Sequence, residues 1–327
     1  MLGSCRVQSD APHSGVQSAV AWALAYRVRV APSILGTSIS QGQEHERQYM
    51  AALSVVITGG TQGIGYGYAR EFLRRGHRVM ICGREATRVD AAVCKLRAEC
   101  SATERIDGAV CDTSDLAATQ ALWDRAASRF GRVDIFINNA GYARTGAGFV
   151  ANKTTEIEAM VRSNVIGSMH AAQVAISGMK AQGGGKLYLT LGGGGASGRV
   201  VPGMTVYSTT KRAVKYFADT VVRELREAKD SRVLLGTISP GVNITEGMLR
   251  EFAELTPAER NKALKQLNFI GDHVETTTAY IVDEIMANEK QGHAIAWLTG
   301  GRMLKRGIGM IFGKRDVLSR YGLKVQV

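Results

Sequence analysis

The sequence predicts an α/β fold in which a single parallel sheet of about seven strands is covered by helices on both faces. Short apolar runs recur along the chain and alternate with helical stretches, a pattern typical of a doubly wound parallel sheet. A glycine-rich segment follows the first apolar run. The chain has 327 residues, 45% of them hydrophobic, which is enough to bury one large core. We find no internal repeat and no sign of a second domain.

The glycine-rich segment follows the first predicted strand, 53–58, and reads GGTQGIG over 59–65. A helical stretch continues to Arg75, where Gly76 ends it. Glycines at 59, 63 and 65 allow a tight turn and the close approach of a pyrophosphate to the helix N-terminus. Between a strand and a helix, this spacing predicts a dinucleotide site rather than a flexible loop.

The second predicted strand, 78–82, leads to Gly83 and Arg84. An NAD enzyme usually places a carboxylate at this point for the ribose 2′-hydroxyl. No Asp or Glu occurs between Val79 and Arg84, and an arginine can pair with a 2′-phosphate instead. The sequence therefore favours NADPH, with an ordinary surface arginine as the alternative interpretation.

Five further strands are predicted downstream. The third ends at Cys111-Asp112, and the others cover 133–137, 186–191, 232–239 and 293–298. The fourth runs into the tetrapeptide NNAG at 138–141. A helix is predicted over 155–179 and contains Asn164. The five cysteines of the chain show neither metal-ligand spacing nor a disulfide framework.

Tyr207 and Lys211 are four residues apart and share one face of a predicted helix, whose apolar positions from Val214 to Leu225 keep helical spacing. A phenol is a weak acid with an unperturbed pKa of about 10. An ammonium group one turn away favours the phenolate, so we expect a lowered pKa for Tyr207. That would suit a general acid for carbonyl reduction. Taken alone, the pair is also typical of an exposed amphipathic helix.

These motifs, in this order over roughly 53–297, resemble those of the short-chain dehydrogenase/reductase family. The resemblance implies a Rossmann-type fold, oxidoreductase activity with NADPH, and no metal. It assigns catalytic roles to Tyr207, Lys211 and Asn164. It assigns cofactor contacts to Thr58, Gly59, Thr61, Gln62, Gly63, Ile64, Gly65, Arg84, Asp112, Asn138, Ala140, Gly141, Tyr207, Lys211, Pro240, Gly241 and Thr245. By analogy with the family, 246–271 is expected to form an apolar substrate lid.

The chain departs from the family pattern at the catalytic serine. Gly194 lies 13 residues before Tyr207, which is the usual serine spacing. Losing one donor to a carbonyl oxygen costs on the order of 10²- to 10³-fold in rate. We expect the glycines at 193–195 to make room for a large substrate. Backbone N–H groups of the turn, or Asn164 through a water, would then replace the hydroxyl; Ser197 is the rival donor.

The block from 192 to 211, including the SGR run at 197–199, is similar to that of chlorophyll b reductases of the short non-yellow-coloring-like type, which also lack this serine. The segments 79–84 and 297–300 are similar too. This resemblance implies NADPH-dependent reduction of the C7 formyl group of chlorophyll b or chlorophyllide b to 7-hydroxymethyl chlorophyll a. The alternatives are another carbonyl reductase of this fold, acting on a lipid or 3-oxoacyl substrate, and a non-catalytic scaffold.

The first fifty residues differ in composition from the predicted reductase domain, 51–300. Asp10 is the only acidic residue from Met1 to Ser40, where three arginines occur. This composition is typical of an organelle transit peptide, with a disordered start as the alternative. The resemblance implies a chloroplast protein at the stromal face of the thylakoid membrane. Its expected partners are a light-harvesting complex and an oligomer with itself or a related reductase.

The C-terminal tail, 301–327, is basic. From Lys290 to Val327 there are eight basic residues and one acidic residue, so this stretch carries +7 of the chain's net +12. Each basic residue near an anionic membrane contributes roughly 1 kcal/mol. We therefore expect the tail either to contact a membrane surface or to pack on the domain. Nucleic-acid binding is disfavoured because aromatic stacking positions are sparse.

Overall fold

A parallel sheet lies at the centre of the fold, with helices on both faces, as predicted. The computed structural model describes residues 52–323 except 147, 199, 254 and 312–314, so the predicted transit segment, 1–50, lies outside the described residues. Within them the strands are β1 (Ser54–Thr58), β2 (Arg78–Gly83), β3 (Ile106–Val110), β4 (Ile135–Asn138), β5 (Gly185–Thr190), β6 (Val233–Ser239), β7 (Val242–Ile244), β8 (Gly271–His273) and β9 (Ala294–Ala296).

The helices connect these strands and alternate with them along the chain. They are α1 (Gly63–Arg74), α2 (Ala86–Cys100), α3 (Leu116–Phe130), α4 (Thr154–Val161), α5 (Gly167–Ala181), α6 (Thr205–Glu227), α7 (Glu246–Ala253), α8 (Pro257–Ile270), α9 (Val274–Ala287) and α10 (Gly300–Ile311). Polar side chains cap the N-termini of some of these helices. Asp115 accepts from the backbone N–H groups of the first turn of α3, and Thr256 forms a capping box with Glu259 in α8.

Seven strands form the central sheet in the order β3-β2-β1-β4-β5-β6-β9, and every neighbouring pair is parallel. The chain changes direction across the sheet between β1 and β4, and ligands of such sheets bind in the crevice at that point. The predicted seven-stranded doubly wound sheet is therefore confirmed. The ends of the predicted strands differ from the observed ones by at most two residues.

Strand side chains alternate between two hydrophobic layers. Val56 and Phe136 pack beneath α3, α5 and α6. Val55 and Ile57 pack beneath α1, α2 and α9. All four are at most 1% exposed, and full burial of such a side chain contributes about 1.5–3 kcal/mol. The continuous apolar run of β1 is explained by burial on both faces.

The helix predicted over 155–179 is not continuous. A π-helical turn, Arg162–Ile166, separates α4 from α5 and contains Asn164. A single extra residue in one turn leaves the apolar pattern on either side almost unchanged, so periodicity could not reveal it. Such turns occur frequently at functional sites.

A small second sheet lies at the end of the fold where the predicted lid and the basic tail meet. It consists of β7 paired with β8, and neither three-residue strand was predicted. Leu264 and Leu267 of α8 form a third hydrophobic cluster with Val317 and Leu318 of the tail. The described part of the tail therefore packs on α8, and these lid leucines are core residues rather than an open apolar surface. No helix among the described residues is long and apolar enough to cross a membrane.

Candidate functional site: a glycine-lined cleft beside Tyr207

The turn between β1 and α1 has the close packing that its glycines predict. Gly59 and Gly63 have φ angles of +64° and +57°, in the left-handed region that favours glycine. At Gly65 an added Cβ would overlap the carbonyl oxygen of Gly59 and lie 2.6 Å from Asn139 Nδ2. The turn is therefore as tight as a pyrophosphate-binding turn must be, and it leaves the N-terminus of α1 open.

Thr58 and Asn138 are buried beneath this turn. The Thr58 hydroxyl donates to Asn138 Oδ1 at 3.0 Å and accepts from the backbone N–H groups of Asn139 and Ala140 at 3.0 and 2.9 Å. Asn138 Nδ2 donates to Ser168 Oγ at 2.8 Å. Both residues, predicted as cofactor contacts, instead hold the NNAG loop in place beside the glycine turn and do not line the cleft.

A cleft of about 350 Å³ opens at the carboxyl ends of β1, β2 and β3. Ten of the residues predicted to contact the cofactor line it: Gly59, Thr61, Gln62, Gly63, Ile64, Arg84, Asp112, Ala140, Gly141 and Thr245. Arg88, which was not among the predicted contacts, also lines the cleft and forms an ion pair with Glu85 at 2.9 Å. Its position in the first turn of α2, four residues after Arg84, was the available signal.

Asp112 lies at one side of the cleft. Its Oδ1 accepts from the backbone N–H of Ser114 at 2.9 Å. Burial raises the pKa of this carboxyl group, but the Ser114 donors and the nearby Arg84 outweigh burial, so the pKa lies below its ordinary value. Asp112 is therefore ionised at neutral pH and can accept hydrogen bonds from a ligand in the cleft.

Asn164 is fully buried, and its side chain is fully engaged by the protein. Its Oδ1 accepts from Tyr142 N–H at 2.8 Å, and its Nδ2 donates to Tyr142 O at 2.8 Å and to Thr210 Oγ1 at 2.9 Å. Both amide protons are thus used within the protein. The expectation that Asn164 supplies a donor to the substrate through a water is not supported. Asn164 instead joins the loop that contains Tyr142 (the 142 loop) to α6.

Tyr207 and Lys211 lie on one face of α6, as predicted, but their electrostatics differ from the expectation. Lys211 Nζ donates to the backbone O of Thr190 at 3.0 Å and lies 5.9 Å from the centre of the Tyr207 ring. Burial raises the pKa of Tyr207 to about 12 and lowers the pKa of Lys211 to about 8. The expected lowering of the Tyr207 pKa was wrong for the protein alone, because burial disfavours each charged form more than the pair's attraction favours it.

The glycines after β5 pack directly against this pair. An added Cβ at Gly192 would lie 2.5 Å from Tyr207 Oη, and one at Gly195 would lie 2.8 Å from Lys211 Cβ. Gly194 has a φ of +81°, which an L-serine adopts only with strain. The position that faces the phenol is therefore Gly192, and not Gly194 as the spacing predicted. Ser197 is exposed.

Gly141 and the pair Pro240-Gly241 lie in different surroundings. Gly141 connects the cleft to the Tyr207 region, because an added Cβ there would lie 2.9 Å from Asn164 Oδ1 and 3.4 Å from Lys211 Nζ. Pro240 and Gly241 do not line the cleft. Gly241 has a φ of +74°, and an added Cβ there would lie 3.0 Å from Leu298 Cγ. The structure thus brings the glycine turn, the NNAG loop and the Tyr207 helix together, whereas Gly241 lies against Leu298.

Known proteins share this architecture. A family model described as short chain dehydrogenase matches residues 54–293. Chlorophyll(ide) b reductase NOL, chloroplastic, of Oryza sativa subsp. japonica is 31% identical over 268 residues, covering 80% of this chain and 76% of that protein. The protein of the same name from Arabidopsis thaliana is 31% identical over 252 residues, covering 76% and 70%.

Solved structures also match the described fold. ElxO with NADP bound superimposes with a TM-score of 0.63 at 24% identity, covering 75% of this chain and 96% of that one. A variant of actinorhodin polyketide ketoreductase with NADPH gives a TM-score of 0.66 at 21% identity, covering 76% and 97%. At these identities the likeness shows the fold alone. The match of the family model over most of the chain shows more: this protein belongs to the short-chain dehydrogenase family.

Proposed function

We propose that the protein is a chloroplast reductase that uses NADPH to reduce the C7 formyl group of chlorophyll b, or of chlorophyllide b, to the hydroxymethyl group of 7-hydroxymethyl chlorophyll a. The observation that carries the proposal is the Tyr207 phenol packed against a glycine turn, beside a cleft of dinucleotide type. The similarity to chlorophyll(ide) b reductases over about 80% of the chain supports the substrate, and their description as chloroplastic supports the location.

The cleft fits NADPH. Its glycine turn leaves no room for a Cβ at Gly65, so the backbone N–H groups of α1 face the cleft without side chains in the way. Arg84 and Arg88 at the opposite side can pair with a 2′-phosphate, and Asp112 can accept from the adenine. When bound, NADPH supplies the hydride for carbonyl reduction.

Tyr207 is the proposed proton donor. A phenol with a pKa of about 12 is protonated at neutral pH, which is the form that can donate a proton to the oxygen of an aldehyde as that oxygen gains charge. Lys211, buried and charged at neutral pH, stabilises the phenolate that remains after transfer. Asn164 acts as a positioning residue. It donates a hydrogen bond to the Thr210 hydroxyl, which in turn donates to the backbone carbonyl oxygen of Tyr207 at 2.7 Å.

The glycine turn is proposed to admit the edge of the macrocycle. Gly192 and Gly193 both lie so close to the Tyr207 ring that a side chain at either position would displace it. With no side chain there, a flat ring system can bring an aryl aldehyde to the phenol. Backbone N–H groups of the same turn are then the available donors to the aldehyde oxygen, in place of the serine hydroxyl.

An assay of the full chain with NADPH and detergent-solubilised chlorophyll b tests this function. Loss of the formyl-type absorption spectrum, with formation of 7-hydroxymethyl chlorophyll a, is the expected result. Parallel assays with chlorophyllide b show whether the phytol chain matters. Binding of NADPH without turnover of either pigment would overturn the substrate and direct the search to lipid or 3-oxoacyl carbonyls. Absence of turnover with every carbonyl tested would favour a scaffold.

Arg84→Ala is expected to weaken NADPH binding by about tenfold and to leave NADH binding unchanged. A hydrogen bond to a charged group contributes about 1.5–3 kcal/mol, and the exposure of Arg84 favours the lower end. Fluorescence titration with both cofactors measures the effect. Arg97→Ala is the matched control, since Arg97 is exposed on α2, the helix that follows Arg84, but does not line the cleft. Equal loss of NADH affinity would contradict a 2′-phosphate contact.

The rate of reduction is expected to fall as the pH rises through about 8. Below that value Lys211 is charged, and Tyr207 stays protonated up to about pH 12. Deprotonation of Lys211 removes the charge that stabilises the phenolate, so kcat/KM should decline about tenfold per pH unit above 8. Profiles at saturating NADPH test this. Lys211→Met should be slow at every pH and lack the break, whereas a level wild-type profile through pH 9 would contradict the role of Lys211.

Gly192→Ser and Gly192→Ala together distinguish two effects of the glycine, namely the room it leaves beside Tyr207 and the absence of a serine hydroxyl as a hydrogen-bond donor. Both add a Cβ beside Tyr207 Oη, so both should lower turnover of chlorophyll b. Only serine adds a donor, worth on the order of 10²-fold in rate. We therefore expect the serine variant to exceed the alanine variant on a small aromatic aldehyde. Equal rates for the two variants on that aldehyde would mean that Gly192 is not the serine position.

Gly194→Ser serves as the comparison for these variants. Because Gly194 has a φ of +81°, serine there is expected to cost roughly 1–2 kcal/mol of stability without improving turnover of the small aldehyde. A gain in turnover of both the aldehyde and chlorophyll b would contradict the clearance hypothesis.

We also propose a location and partners for the protein. A position at the stromal face of the thylakoid membrane, next to a light-harvesting complex, would give access to the pigment. Assembly with a second copy or a related reductase is supported by large exposed apolar side chains on consecutive helices, among them Val161 on α4 and Met169 on α5, 39% and 41% exposed. Sedimentation of the full chain, alone and with thylakoid membranes, tests both proposals.

A further inference from the structure

A second cavity, also about 350 Å³, lies beside α10 and shares no lining residue with the cofactor cleft. Four cationic side chains and a single acid line it, together with an indole ring. They are Arg302, Lys305, Arg306, Arg315, Asp272 and Trp297. The formal charge of this cationic pocket is therefore +3. The basic charge of the tail is evident from the sequence, but its concentration in one cavity is a result of the fold.

Asp272 cancels only one of the four positive charges, because this single carboxylate is shared between Arg306 and Arg315. Its Oδ2 accepts from Arg306 Nη2 and from Trp297 Nε1, the latter at 2.5 Å. Its Oδ1 accepts from Arg315 Nη2 at 3.3 Å. Arg306 is only 7% exposed. The pKa of Arg306 lies below its ordinary value. Burial is the main cause, and the neighbouring Arg315 and Arg302 lower the pKa further, whereas Asp272 raises it. The net direction is the one expected where positive charge exceeds negative charge.

Arg302 and Lys305 have no carboxylate partner among the described residues. The Arg302 guanidinium lies 4.0 Å from the centre of a Trp297 ring and 4.1 Å from that of Tyr280. It also donates to Trp297 O at 2.9 Å. Aromatic faces and a carbonyl thus hold Arg302 at the wall of the pocket with its charge uncompensated. Lys305, on the next turn of α10, is exposed at the mouth.

We propose that the cationic pocket is a binding site for a phosphate-class oxyanion. Guanidinium groups pair with phosphate oxygens in bidentate geometry, and a lysine contributes a mobile point charge. The volume, the excess of three positive charges and the presence of a prearranged buried arginine match such a ligand better than a neutral one. The inference does not depend on the proposed reaction, since the pocket lies outside the cofactor cleft.

The oxyanion could come from a lipid headgroup or from a soluble phosphate compound, and one feature of α10 separates these sources. Leu304 and Ile308, four residues apart on the helix, are 69% and 50% exposed. They adjoin Lys305 on the surface of α10, since Ile308 follows Lys305 by three residues. There they form an apolar ridge that would enter the acyl region of a bilayer when a headgroup phosphate pairs with Lys305. A soluble phosphate would make no use of this ridge.

The full chain should be tested by calorimetry with inorganic phosphate and by flotation with phosphatidylcholine vesicles, with and without phosphatidylglycerol. Lys305→Glu is expected to weaken binding by about tenfold or more. It replaces an exposed side chain, so the fold should persist. Lys229→Glu, at an exposed lysine after α6, is the control for net charge and should have little effect.

A Leu304→Ser, Ile308→Ser double variant identifies the source. If it reduces flotation with phosphatidylglycerol but not phosphate binding, the ligand is a lipid headgroup. If phosphate binds and no vesicle does, the ligand is a soluble phosphate. Both results support the site. Absence of binding to phosphate and to anionic vesicles, or equal effects of Lys305→Glu and Lys229→Glu, would overturn it.

Discussion

Tyr207→Phe should lower the rate of formyl reduction by about 10²- to 10⁴-fold, the usual contribution of a positioned general acid. The phenol oxygen is the atom nearest to a Cβ added at Gly192, at 2.5 Å. Removing one oxygen leaves the ring, and hence the packing, in place. Steady-state kinetics with chlorophyll b measures the loss.

Tyr216→Phe is the matched control for this change. Tyr216 lies on the same helix, α6, but is 75% exposed, so its loss should alter neither rate nor stability. NADPH titration of Tyr207→Phe should show a change of no more than a few-fold in Kd, because Tyr207 does not line the cleft. If Tyr207→Phe keeps more than a tenth of the wild-type rate, another group donates the proton.

Gly65→Ala is expected to abolish measurable NADPH binding at concentrations that saturate the wild type. The new methyl group would overlap the carbonyl oxygen of Gly59 and crowd Asn139 Nδ2. Because the first of these is backbone, only a shift of the turn or of α1 relieves the clash. Either shift moves the N–H groups that face the pyrophosphate. Overpacking of this kind also costs about 1–3 kcal/mol of stability.

Cofactor titration and thermal unfolding test this prediction together. A loss of 1–3 kcal/mol corresponds to a fall in Tm of roughly 2–12 °C for a domain of this size. Gly301→Ala is the control, since an added Cβ there meets no atom within 4 Å. Gly301 lies in α10, and alanine in a helix should be neutral or slightly stabilising relative to glycine. Wild-type NADPH affinity in Gly65→Ala would show that the turn does not hold the pyrophosphate.

Much of the site was predictable from sequence because its parts are local. The GGTQGIG turn depends on neighbours within a few residues, and the positive φ angles of Gly59 and Gly63 confirm the conformation that such glycines permit. The same holds for Tyr207 and Lys211, whose spacing places them on one helical face. The order of strands along the chain likewise limits a parallel sheet to few topologies.

Several features could not be predicted, because each depends on contacts between distant segments. Spacing from Tyr207 pointed to Gly194, whereas the path of the turn after β5 places Gly192 against the phenol. A lowered pKa for Tyr207 followed from the nearby lysine alone, but burial of both groups reverses the direction. Thr58, predicted as a cofactor contact, supports a loop 80 residues away.

The sequence by itself determined the doubly wound sheet, the tight glycine turn after β1 and the placement of Tyr207 and Lys211 on one helical face, since periodicity and short-range spacing are written directly in the chain. The tertiary structure alone decided which glycine faces the phenol, that Asn164 is held by the 142 loop and Thr210, and that the basic tail packs on α8 to form a cationic pocket with Asp272. The physical reason is that desolvation and long-range packing depend on which residues surround a group, and these neighbours are brought together only by folding.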